Sequence, residues 1–182
     1  MRDRIWTELT QAKHSLEFTY LYADRQRKYL RYFNVLILVF STGGVMGWRI
    51  WDNAPALSCL IIATISLIRL LQPQLIMTEK QISNLDTISK FYTLYYNKLE
   101  RLWFDTEDDS LNQSSAKDEF FKILQTESEV SALINETIRT KPKSLISKAK
   151  LHSDQYFKLS FNTYHDEKNT NTTKTDTTVT KI

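Results

Sequence analysis

Apolar residues recur every three or four positions through Ile5, Leu9, Ala12, Leu16, Tyr20 and Ala23, with charged residues between them. That period predicts an amphipathic helix with one buried stripe. From Tyr32 the pattern changes. The run YFNVLILVFSTGGVMGW, ending at Trp48, carries no charge. It makes roughly 25 Å of helix, and Leu30 with the stems of Arg31 and Arg49 extends it to a bilayer crossing. A second uncharged run, Ala54 to Ile68, continues through Arg69 to Leu71 and stops at Gln72-Pro73-Gln74. Alone, a run this short also suits a buried core helix. Paired with the first across Arg49-Ile50-Trp51-Asp52-Asn53, it predicts a hairpin that crosses and returns.

Beyond the hairpin, Leu85, Ile88, Tyr92, Tyr95, Leu99 and Leu102 alternate spacings of three and four. This is a coiled-coil seam, short and with aromatics at two positions; the same pattern also suits packing against the first helix. The acidic, turn-rich stretch Asp105 to Ser115 reads as a connector, and a further helix is expected from Lys117 to about Arg139. The polar, low-complexity end of the chain reads as disordered. The expected fold is an all-α membrane protein: a two-helix transmembrane hairpin with cytosolic amphipathic and coiled-coil helices. Residues 1–28 form an N-terminal cytosolic amphipathic helix, and 29–78 form the hairpin, with spans at about 31–50 and 54–72. Residues 79–160 form a cytosolic helical region and 161–182 a disordered tail.

Charge distribution sets the orientation. Arg25, Arg27, Lys28 and Arg31 precede the first run, whereas the turn offers only Arg49 beside Asp52. Both termini are therefore expected in the cytosol, with Tyr29 and Tyr32 at one interface and Trp48 and Trp51 at the other. More than thirty residues precede the first run, which argues against a cleaved signal peptide. The net charge of +3 is too mild to call for nucleic acid, and no specific nucleic-acid partner is expected.

All 3 glycines, Gly43, Gly44 and Gly47, lie inside the first run. The remaining chain therefore lacks the residue that phosphate loops, dinucleotide fingerprints and primed hairpin turns require. The 1 cysteine, Cys59, reads as a packing residue, and the 3 histidines, His14, His152 and His165, lack metal-ligand spacing and read as solvated. No paired carboxylates, Ser/His/Asp set or metal constellation stands out, so neither an enzyme, a metal nor a cofactor is expected. Ser41, Gly43, Gly44 and Gly47 form a small-residue face answered by Cys59 and Ala63; it packs either within the hairpin or between copies. Thr42, Thr64, Ser66 and Arg69 are the polar candidates for a pore or interface, Arg69 also being placed to snorkel to the cytosolic surface. Arg139, Lys141, Lys143, Lys148 and Lys150 make a basic stretch with no acid between them. It suits anionic lipid or an anionic ligand, or is a solvated face.

A basic-flanked amphipathic helix, Ser41-Thr42-Gly43-Gly44 in a first span, a short turn bearing Trp51, a second span led by Pro55 and long helices afterwards together resemble the SLATT family. These are two-transmembrane effectors of bacterial antiphage nucleotide-signalling systems. The resemblance covers roughly residues 1–160 and is mostly one of architecture. It implies an inner-membrane effector that oligomerises and permeabilises the membrane in abortive infection, acting with membrane lipids, further copies of itself, and a nucleotide second messenger or signalling-enzyme partner. The chain departs from the family pattern in having no recognisable SLOG or β-barrel sensor module. The signal is then expected to bind the helical part or to act through a partner. The alternative is a non-conducting anchor that recruits a cytosolic partner through its helices.

Overall fold

The computed structural model describes residues 1–46, 63–68, 70, 77–108 and 111–176, and among these every regular element is an α-helix. The principal helices are α1 (Arg2–Met46), α2 (Glu79–Glu107), α3 (Gln113–Thr137) and α4 (Lys143–Asp176); residues 63–68 are helical as well.

Local sequence accounts for the ends. Thr78 starts α2 with a capping box: its hydroxyl accepts from the Gln81 N–H at 3.4 Å, and the Gln81 side-chain carbonyl accepts from the Thr78 N–H at 3.0 Å. Pro142, which has no N–H to satisfy, stands immediately before α4, and its carbonyl receives the N–H groups of Leu145 and Ile146 at 3.0 and 3.2 Å. The Asp105–Ser115 connector is shorter than the sequence suggests. Helix α2 runs to Glu107 and α3 already begins at Gln113, because the polar residues there are compatible with terminal helical turns.

Cross-helix contacts fix the topology. Tyr95 donates to Glu8 at 3.1 Å and Arg2 faces Glu107 at 3.5 Å, so α1 and α2 are antiparallel. Helix α3 turns back along α2, with Tyr92 reaching Glu127 at 3.5 Å, and its start meets the start of α1 where the Arg4 guanidinium lies 5.8 Å from the Phe120 ring. Helix α4 descends again, placing Phe161 5.1 Å from Trp6 and His152 3.7 Å from Glu17. The result is an up-down-up-down four-helix bundle.

The stripe predicted for α1 faces its core: Ile5, Leu9, Ala12, Leu16 and Ala23 are all buried, while Tyr20 of the same reading is half exposed. All six heptad residues of α2, Leu85, Ile88, Tyr92, Tyr95, Leu99 and Leu102, are buried in the same cluster. Of the two partners the spacing allows, the seam takes α1 and its neighbours within the chain. A coiled coil between copies would have to displace them.

Helix α4 corrects the expected tail. Phe161 is buried in an aromatic cluster with Trp6, Trp103, Phe104 and Phe157, so a boundary at 160 cuts through packed helix. Once Phe157 and Phe161 anchor adjacent turns, each further residue adds a backbone hydrogen bond without a new nucleation cost, and the helix continues to Asp176 despite its polar composition.

At the opposite end, α1 continues without interruption from the bundle core into the first apolar run. The helix has 45 residues, so it extends roughly 65–70 Å. Among the described residues, no helix is long and apolar enough to cross a membrane. Of the expected hairpin, residues 47–62, 69 and 71–76 lie outside the described residues, and with them Gly47, Cys59 and Arg69.

Candidate functional site

Three groups of side chains are candidates for chemistry, and they occupy different heights along α1. The first is the stalk where α1 and α2 extend together. Arg27 pairs with Asp86 there, and among the described residues a groove of about 550 Å³ is lined by α1 and α2, from Arg27 to Leu38 on one side and Glu79 to Asp86 on the other. Beyond it the apolar side chains face outward: Tyr32 is 72% exposed and Val35, Leu36, Leu38 and Val39 are exposed too. Consecutive apolar residues from Val35 to Val39 leave no polar stripe, which distinguishes this end from the amphipathic Ile5–Ala23 segment. Arg25, Arg27, Lys28 and Arg31 form a cationic collar just beneath. Lys28 is held charged by a hydrogen bond to Asp24, its ammonium pKa raised above the ordinary value. An apolar surface above a basic collar is the arrangement that suits an anionic lipid–water interface.

The second group is a polar layer inside the bundle. The Tyr92 and Tyr95 hydroxyls donate to Glu127 and Glu8, from α3 and α1. Burial pushes the Tyr92 phenol up to about 12, with the charge of Glu127 adding to it, and raises Tyr95 in the same way. Glu127 is itself raised, first by burial and then by Glu8. One turn along α2, Tyr96 donates to Glu100 at 2.6 Å, Tyr156 donates to the same carboxylate at 3.3 Å, and the Lys13 ammonium lies 4.0 Å from the Tyr156 ring centre. The Lys13 side chain, only 12% exposed, is neutralised by Glu17 at 3.0 Å. Every charge in this layer has a partner on a neighbouring helix or its own, so the layer fixes the register of the bundle. The two tyrosines within the heptad pattern were its sequence signal, since a buried phenol requires a hydrogen-bond partner.

The reading of the histidines as solvated needs correction at His14, whereas His152 is exposed. His14 is half-buried and its Nε2 lies 3.3 Å from the Ile146 carbonyl, while His152 sits beside Glu17. Their partners lie on other helices, where spacing along the sequence cannot reveal them.

The third group is a cleft of about 650 Å³ between α1, α3 and α4. It divides the basic stretch: all five residues are exposed, but Lys141 and Lys150 line the cleft, whereas Arg139, Lys143 and Lys148 do not. Of the membrane candidates, Gly47, Cys59 and Arg69 lie outside the described residues. Ser41, Thr42, Gly43 and Gly44 lie in the last turns of α1, and Ala63, Thr64 and Ser66 are exposed on the helical segment 63–68. Among the described residues no group of His, Cys, Asp and Glu is gathered for a metal ion.

Comparison of the chain with family models, with curated proteins and with solved structures finds no match in any of the three.

Proposed function

We propose that this chain is a membrane effector: its apolar runs form a hairpin in the bacterial inner membrane, both termini are cytosolic, and several copies assemble to permeabilise the bilayer. The observation that carries this reading is the continuity of α1, a single helix that is packed into the bundle through Ile5–Ala23 and exposes an apolar surface from Tyr32 to Val39. Exposed apolar surface of that kind is costly in water and favourable in hydrocarbon. The basic collar below it suits the cytosolic face, and the resemblance to the SLATT family supplies the activity. A two-helix hairpin cannot enclose an aqueous path alone, so conduction requires further copies.

The burial of the seam bears on how they would meet. With Leu85–Leu102 occupied inside the chain, the Gly43-x-x-x-Gly47 face within the membrane is the assembly surface that remains, and the bundle represents the resting protein. The same burial favours a second reading, a non-conducting anchor whose bundle recruits a partner.

Inducible expression in bacteria with a membrane-potential dye tests the proposal. Depolarisation by the native chain, lost in a Gly43→Leu, Gly47→Leu variant that still fractionates with membranes, is the expected result. Membrane fractionation without depolarisation, even with a candidate signalling enzyme co-expressed, would leave the anchor; recovery of the native chain in the soluble fraction would overturn both.

A further inference from the structure

We propose that the cleft between α1, α3 and α4 is a binding site for a small organic anion carrying a flat apolar ring. The cleft has the size of a small-molecule site, about 650 Å³, and the mixed lining such sites have. Phe18, Ile134, Ile138 and Ile146 supply an apolar wall from all three helices, and the Tyr92 ring joins it from α2. This surface accepts a ring and excludes a strongly hydrated ion on its own.

Two cations stand on the same cleft. Lys141 comes from the segment that joins α3 to α4, and Lys150 from the third turn of α4. Neither has an ion-pair partner among the described residues, as is also true of Arg139, Lys143 and Lys148 off the cleft. Asp154 is also on the lining, one turn beyond Lys150. The ligand's charge therefore belongs toward Lys141 and Lys150, away from that carboxylate.

The independent sign of a ligand is Ser153. Two buried hydroxyls elsewhere in the bundle bond the carbonyl four residues back, Thr19 to Ser15 at 2.7 Å and Ser89 to Leu85 at 2.9 Å, whereas the Thr137 hydroxyl, which does not line the cleft, has no partner. Ser153 is 3% exposed, has no such bond or other partner, and lines the cleft. A polar atom of a molecule bound in the cleft would give it one. The site stands on the cleft alone, whether or not the chain enters a membrane.

Calorimetric titration of the full chain in neutral detergent provides the test, with 1-naphthyl phosphate as the ring-bearing anion, 1-naphthol as the ring alone and glycerol phosphate as a lipid-headgroup anion. Saturable, salt-weakened binding of 1-naphthyl phosphate is expected, at least about tenfold tighter than either fragment. A Lys141→Gln, Lys150→Gln variant should lose roughly tenfold, whereas Lys148→Gln, off the cleft on the same helix, should lose nothing. Ser153→Ala should weaken binding with no loss of thermal stability, since the hydroxyl has no protein partner to lose. Glycerol phosphate binding as tightly as 1-naphthyl phosphate would assign the cleft to headgroups and overturn the proposal. So would equal losses in the Lys148 variant, or no saturable binding of 1-naphthyl phosphate.

Discussion

Ile5–Ala23 and Tyr32–Val39 belong to one helix, yet the first segment buries its apolar side chains and the second exposes them. Their composition differs less than their arrangement. In the first, charged residues separate the apolar ones at helical spacing, so three neighbouring helices can cover the stripe while the rest meets water. In the second, Val35 to Val39 are apolar on successive positions, and α2 stands beside them. A stripe can be satisfied by a protein bundle; an all-round apolar surface requires a surrounding apolar medium. On the function proposed above, the helix is a junction between two solvents, and its two ends should respond oppositely to the same kind of substitution.

The largest contrast comes from cavity formation. Leu99→Ala, in the closed seam, should destabilise the bundle by about 2–5 kcal/mol, because the lost contacts leave a cavity that tightly packed neighbours fill only in part. Leu36→Ala, at the exposed end, should change it by less than about 0.5 kcal/mol. Urea unfolding of the full chain in neutral detergent, followed by far-ultraviolet circular dichroism, compares them. Similar losses for both would mean that Leu36 is covered by protein and that the junction is misplaced.

A charge reverses the ranking. Leu36→Asp should leave the unfolding midpoint of the bundle nearly unchanged while reducing retention in the membrane fraction after a high-salt wash, by up to about 3 kcal/mol for a carboxylate placed in hydrocarbon. Retention equal to that of the native chain would break the assignment of this end to the membrane.

These two ends were unequally legible in the sequence. The stripe of α1 and the heptads of α2 could be read as faces, since helical spacing alone defines a face. What covers a face is long-range information. The three-and-four spacing of Leu85 to Leu102 is identical whether the partner is another copy or Ile5–Leu16 of the same chain, and only the bundle chose between them. The tyrosine partners were hidden for the same reason: Glu8 lies 87 residues from Tyr95, and Glu127 lies 35 from Tyr92. The basic stretch was visible as a cluster, but only the start of α4 after Pro142 separates Lys141 and Lys150 from Lys143 and Lys148. In the tail, low apolar content outweighed Phe161, although that single side chain docks one more turn of helix than composition suggests.

The polar layer gives the bundle end a pH response. The Tyr92 pKa is raised from 10.0 to about 12, so the folded state holds a proton that the unfolded state has released. Its contribution is complete below pH 10 and lost as pH rises toward about 12. Tyr92→Phe should flatten that alkaline decline, by on the order of 1–2 kcal/mol at its upper end. Glu127 shifts in the same direction from the carboxylate range: its contribution is present in acid and lost as pH rises through the raised value. Glu127→Gln should consequently hold or gain stability at neutral pH, where the charged native side chain faces Glu8. Urea midpoints measured across the pH range test both signs, and an alkaline limb unchanged in Tyr92→Phe would place the response elsewhere.

The smallest expected effect lies at the boundary between the two ends. Arg27 and Asp86 join α1 to α2 above the level at which α3 and α4 contribute to the groove, and each side chain is about half exposed, at 50% and 44%. Water and salt screen such a pair, so a double-mutant cycle with Arg27→Gln and Asp86→Asn should give a coupling of only about 0.2–1 kcal/mol, declining as salt is added. The location makes even that small value informative. If the basic collar rests against anionic headgroups, Arg27 divides its charge between Asp86 and lipid phosphate, and the coupling should fall when neutral lipid is exchanged for anionic lipid. A coupling that is insensitive to lipid charge would place the collar away from the bilayer surface, and the junction between the two solvents would have to lie further along α1.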